Sequence, residues 1–226
     1  MARTLTAQDR SSLIRLASSL PVGSPERKAI LAGLKSAASG GEANVRWKHI
    51  FGKAKVSDYA QVYEDAEVSG SAQVSGSAWV SGKARVYGQA KVYGSAKVYG
   101  SAKVYDQAKV YGDPGAQVTD NAKVYGNAEV SGIAWVFGDA KVSGNARVYE
   151  YAEVSGSAKL YGDAKVYGKA NVSDNAKVYG NSEVSGKAKI GGNARIGGTA
   201  VILGGTWHGS EGEILSGAWK APGVPA

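Results

Sequence analysis

From residue 54 onward the chain alternates apolar and polar positions on a beat of six. Ala recurs at 54, 60, 66, 72, 78, 84, 90, 96, 102 and 108, then every six residues from 116 to 200, with Ser182 the one substitution. Two residues after each comes Val, or Leu160, Ile190, Ile196 or Ile202. Ten such hexads precede an eight-residue interval from Ala108 to Ala116, and fifteen follow it. Residues two apart share one side of a strand, so Ala and the aliphatic residue face inward together while the residues between and after them face outward. The fifth place is nearly always Gly, or an acid at 58, 64, 106, 120, 150 and 174, and a polar residue usually follows. Each hexad therefore predicts a short strand and a turn, Gly supplying the unusual φ. A strand this short cannot bury its face alone, so the copies must stack into a solenoid.

The beat weakens at both edges. Ile50 and Gly52 keep the phase, which starts a partial coil near Lys48. Past 202, Ile214 and Ala218 remain in phase, but Thr206 and His208 stand where Ala and Val belong, so residues 203–226 are expected to form an irregular cap. The interval at Asp113-Pro114-Gly115 adds two residues and the pattern resumes at once, which predicts a corner bulge that leaves every face in register. Residues 1–40 follow a different period. Leu13, Ile14, Leu16, Ala17 and Leu20 recur at helical spacing until Pro21 and Gly23 stop them; Ser24 and Pro25 then open a second helix with Ile30, Leu31 and Leu34 on one stripe. This hairpin, joined by a linker at 41–47, has too little apolar surface to stand alone, so Leu13, Leu16, Leu20, Ile30 and Leu34 are candidate interface residues.

Read from the aliphatic residue, the phrase is aliphatic-x-x-x-small-x, and the last hexads read IGGNARIGGTAVIL. This resembles the left-handed β-helix of hexapeptide-repeat proteins. The resemblance implies an all-β solenoid, a left-handed parallel β-helix over 48–202 with three hexads per eighteen-residue coil. Twenty-five hexads then give about eight coils and a rod of roughly 40 Å at about 4.8 Å per coil. In most of this chain Gly sits one place later than is usual in that family. A right-handed solenoid is the alternative, although its coils are usually longer and less regular. The GGTW segment at 204–207 is similar to the closing segment of some bacterial and phage-borne β-solenoids.

The best-known enzymes of the resembled fold are acyltransferases, which use a histidine base at a subunit cleft, and γ-type carbonic anhydrases, which bind zinc through three histidines. This chain has two histidines, His49 and His208, at opposite ends of the repeats, and no cysteine. One chain therefore supplies no three-His site, and no catalytic residue, metal or cofactor is expected. A two-residue break is also too short for a cleft-forming loop. No run of roughly 20 apolar residues exists to span a bilayer, and Arg3, Asp9, Arg10 and Arg15 interrupt any signal-like centre. Membrane insertion is not expected; a virion or the cytoplasm is the compatible location.

The outward positions carry the remaining information. At eighteen residues per coil, one face stacks Glu67, Arg85, Lys103, Lys123, Lys141, Lys159, Lys177 and Arg195. Beside them, just past the aliphatic residue, stand Ser69, Tyr87, Tyr105, Tyr125, Ser143, Tyr161 and Tyr179. Ammonium groups about 5 Å apart repel by about 1 kcal/mol per pair even in water, and an anionic partner would remove that cost. With a net charge of +8, the chain suits an acidic partner. The strip is a candidate polyanion-binding surface for nucleic acid, an acidic glycan or an acidic protein; as a plain solvated face it would only cover the sheet and block aggregation. A flat face offers nothing shaped for a groove, so specific base readout is not expected. Trp79 and Trp135 occupy outward slots of another face, three coils apart, and are candidate interface residues, with Ile133 and Tyr151 at nearby corners. Taken together, the chain reads as a non-catalytic structural or adaptor rod that positions other proteins of an assembly, with a homo-oligomer expected and a phage virion as the setting the resemblance suggests. Polyanion binding is the second reading and a hexapeptide acyltransferase the third.

Overall fold

The computed structural model describes residues 49–221 and 224–225, and the chain there is a parallel β-solenoid of about nine turns. The helical hairpin expected at 1–40 and its linker lie outside the described residues. Each hexad contributes a two-residue strand, from Lys55–Val56 to Val201–Ile202. Every third strand pairs in parallel, Lys55 with Gln73, Gln61 with Trp79 and Glu67 with Arg85, so three hexads close one coil. Three sheets result, with eleven, nine and nine strands.

The alternation sets the core. From Ala60 to Ile202 the Ala and aliphatic positions are at most 2 % exposed and form one continuous apolar column. Ser182, standing for Ala, is also buried, and its hydroxyl donates to the Tyr179 carbonyl at 2.7 Å. In the first strand Val56, which stacks on Val74 and has no described strand on its other side, is only half-buried. The break at 112–115 is absorbed as a small antiparallel bridge between Gly112 and Gly115. Pairs that cross it are twenty residues apart, Lys97 with Gln117, Lys103 with Lys123 and Lys109 with Glu129, while eighteen separates the partners on either side. The faces are not rotated.

The count rises from about eight coils to about nine because the chain keeps stacking after residue 202. Thr206–Trp207, Glu213–Ile214 and Ala218–Ala221 each add a strand to one sheet, and Val224–Pro225 folds back antiparallel on the last. The frame differs from the sequence count. Lys189 pairs with Thr206 and Ile190 with Trp207, seventeen residues on, so Trp207 takes the aliphatic place expected for His208. Ala218 likewise pairs with Val201 and turns outward, leaving the inward place to Trp219. The two indoles meet edge-on at 6.3 Å, each donating to a carbonyl three residues back, and close the end of the apolar column.

The corners follow a rule that links adjacent coils. The described non-glycine residues with left-handed φ are all acids: Asp58, Glu64, Asp106, Asp120, Glu150 and Asp174. Such a conformation costs about 1–2 kcal/mol. Each of these carboxylates accepts a hydrogen bond from the backbone N–H of the corner glycine one coil later, at 2.6–3.1 Å. A bond to a charged group contributes about 1.5–3 kcal/mol, enough to offset the strain. At Gly144 (φ +66°) an added Cβ would lie 2.9 Å from the Gly162 nitrogen, so any side chain there needs a small backbone shift, and only an acid gains the hydrogen bond to that nitrogen in return. Gly144→Asp should therefore stay within about 1 kcal/mol of the parent in chemical unfolding, whereas Gly144→Ala should lose about 1–2 kcal/mol. Equal losses for the two would contradict the rule.

Candidate functional site

The three faces differ in how their charges are answered. On the basic face, register places Glu67, Arg85, Lys103, Lys123, Lys141, Lys159, Lys177, Arg195 and Glu213 on consecutive strands. The two ends are ion-paired, Arg85 to Glu67 at 3.2 Å and Arg195 to Glu213 at 3.0 Å. Between them Lys103, Lys123, Lys141, Lys159 and Lys177 have no carboxylate partner among the described residues. At about 4.8 Å per coil this run spans roughly 19 Å.

The mixed face is the contrast. There Glu129 accepts from Lys109 at 2.8 Å and faces Arg147 at 4.0 Å, while Glu183 accepts from Lys165 at 2.8 Å. The Lys109 hydrogen bond holds the Glu129 carboxyl below the usual range, and the same bond pushes Lys109 up. Two open hollows, of about 370 and 320 Å³, lie on this face and its edge, and Glu129 and Arg147 line both. The charged side chains Lys109, Glu129, Arg147 and Lys165 that line these hollows thus already have partners of opposite sign.

Beside the lysines the tyrosines form stacks. Tyr87, Tyr105 and Tyr125 lie nearly parallel at 4.9 and 5.0 Å, and Tyr161 meets Tyr179 at 5.2 Å. Ser143 separates the two stacks. The last ring leans over the following coil: a Cβ at Gly197 would collide with the Tyr179 ring, so the glycine there seats it. Burial in the stack, then the neighbouring phenols of Tyr87 and Tyr125 and the carboxylate of Asp106, push Tyr105 up to about 12; burial also raises Tyr87. A raised tyrosine favours the neutral folded form, so its stabilisation is complete below about pH 10 and is lost as pH climbs toward about 12. Absorbance at the tyrosinate band should show a late-ionising fraction, absent after unfolding. An ordinary titration of all thirteen tyrosines would contradict the stacks.

On the tryptophan face, Trp79 and Trp135 are 43 % and 38 % exposed. Tyr63 meets Trp79 edge-on at 5.8 Å, Lys97 lies over it at 5.9 Å, and Phe137 packs on Trp135 at 4.6 Å. Ile133 and Tyr151 stand exposed on the neighbouring corner. The interface candidates Leu13, Leu16, Leu20, Ile30 and Leu34 lie outside the described residues. His49 and His208 sit at opposite ends of the column, and among the described residues no three His, Cys, Asp or Glu are grouped to hold a metal ion. No described helix is long and apolar enough to cross a membrane.

The eighteen-residue register disclosed the ladder and its tyrosines. The corner acids stand out in the sequence, but not the bonds they make between coils; the signal for those is an acid at the fifth place with Gly one coil later, at all six positions. Comparison with family models, with curated proteins and with solved structures finds no match, so what is established of this chain is its fold, a parallel β-solenoid.

Proposed function

We propose that the protein is a non-catalytic rod that holds partners of a larger assembly at fixed spacing and orientation. The observation that carries this is the unbroken register of three faces through about nine turns, including the break at 112–115. A column of stacked two-residue strands carries its outward side chains at coil-spaced intervals on flat faces, which suits positioning. The sequence likeness at GGTW is the support for a virion setting. Native mass spectrometry of protein drawn from its source tests the proposal: a stoichiometric complex with another protein is expected. A free chain or homo-oligomer that transfers acyl groups, and loses that activity when His49 and His208 are both replaced, would overturn it.

A second reading rests on its own observation. Five consecutive lysines without a carboxylate partner among the described residues, on a fold whose mixed face pairs Lys109, Arg147 and Lys165, favour a polyanion on the basic face.

A further inference from the structure

The tyrosine stack of the basic face is interrupted once, at Ser143, and the interruption falls in the middle of the unpaired lysines. Tyr125 and Tyr161 flank it, two coils apart, so their rings stand about 10 Å from one another. Within each stack the spacing is 4.9–5.2 Å with planes nearly parallel. One further planar ring inserted above Ser143 would therefore repeat the stack's own spacing on both sides. Tyr161 is the exposed member of the face's tyrosines, at 38 %, as expected of a ring open toward that notch. The mixed face has a comparable interruption, Ser131 between Tyr111 and Tyr149, and it opens the hollow of about 320 Å³. That hollow is lined by Arg147 and Lys165 as well as Glu129, but both bases already face carboxylates, Glu129 and Glu183, whereas the Ser143 notch is bordered by Lys123, Lys141 and Lys159, which have no carboxylate partner among the described residues.

We propose that the basic face binds single-stranded nucleic acid, one base seated between Tyr125 and Tyr161 above Ser143 and the flanking phosphates on Lys123, Lys141 and Lys159. This rests on the polyanion reading and narrows it. Stacking accepts any base, so binding is independent of sequence. An acidic glycan could use the lysines but has no planar ring for the notch, and a duplex keeps its bases stacked inside.

The test compares an oligo-dT of about fifteen nucleotides, an abasic oligomer of equal length and heparin, by fluorescence anisotropy at low salt. The wild type should bind oligo-dT about tenfold more tightly than the abasic oligomer. Ser143→Tyr, which completes the stack and leaves every lysine in place, should remove that difference while heparin affinity changes less than about twofold. Ser131→Tyr on the mixed face should leave the difference intact. Equal affinity for oligo-dT and the abasic oligomer, or a difference that survives Ser143→Tyr, overturns the proposal while the polyanion reading stands. Heparin bound and both oligomers refused assigns the face to glycans. No binding of any of the three removes both readings.

Discussion

Val142→Asp should cost more than about 4 kcal/mol and split the rod's unfolding into two transitions. Val142 is fully buried, pairs with Val124 and Leu160, and lies near the middle of the apolar column. The described core offers no buried cation to partner a carboxylate, since lysines and arginines all stand on the outward positions. Removing two methyl groups by Val142→Ala should cost about 2 kcal/mol, most of it transfer free energy. The difference between the two variants is the cost of the charge. Solenoid stability is a sum of coil and coil-to-coil terms, so a lesion in the middle uncouples the halves. Val56→Asp, at a half-buried position in the first coil, should cost much less and leave one transition. Chemical unfolding followed by circular dichroism and by tyrosine fluorescence checks this. Coincident single transitions for Val142→Asp would mean the rod folds as one cooperative body.

Reversing Lys141 and Lys159 together should move stability and binding in opposite directions. In the parent, Lys123, Lys141, Lys159 and Lys177 are neighbours on consecutive strands. Three like-charge contacts become two attractive ones and one repulsive one, so Lys141→Glu with Lys159→Glu should hold or raise stability by about 1 kcal/mol at low salt. Polyanion affinity should fall by at least about a hundredfold at low salt, and the slope of log affinity against log salt should shrink by about 1.4, the counterion release of two phosphate contacts on a single strand. Lys91→Glu with Lys189→Glu, on the other two faces, changes net charge equally and should lose less than about threefold. If both pairs lose alike, net charge governs and the ladder has no special standing.

What the sequence made legible was whatever the period of six governs. The inward positions follow from counting; three hexads per coil is what the resemblance to hexapeptide-repeat β-helices implies, and the ladder from Arg85 to Arg195 follows from that coil length once the two extra residues at the break are taken as a bulge. Counting fails where geometry departs from the period. Trp207 reached the core because an indole fills the end of the column and the coil shortened to seventeen residues to seat it, which no fixed count anticipates. The corner acids were visible as letters, but their role depends on a left-handed φ that aims each carboxylate at the next coil. The pairing of Glu129 with Lys109 depends on stacking across the break, so only register made plain that the mixed face pairs Lys109, Arg147 and Lys165 while the five central lysines of the basic face stay unpaired among the described residues.

The central claim is a straight column whose faces run unrotated through residues 112–115. The chain has no cysteine, so spin labels can be placed at Ser71→Cys and Asn181→Cys without background. Both residues are exposed at the same corner, preceding Ala72 and Ser182, on opposite sides of the break and six coil steps apart. Dipolar spectroscopy should give one narrow distance near 29 Å, shortening to about 24 Å when the eighteen residues 141–158 are deleted. A broad or two-peaked distribution, or a mean displaced by more than about one coil, would contradict the rod.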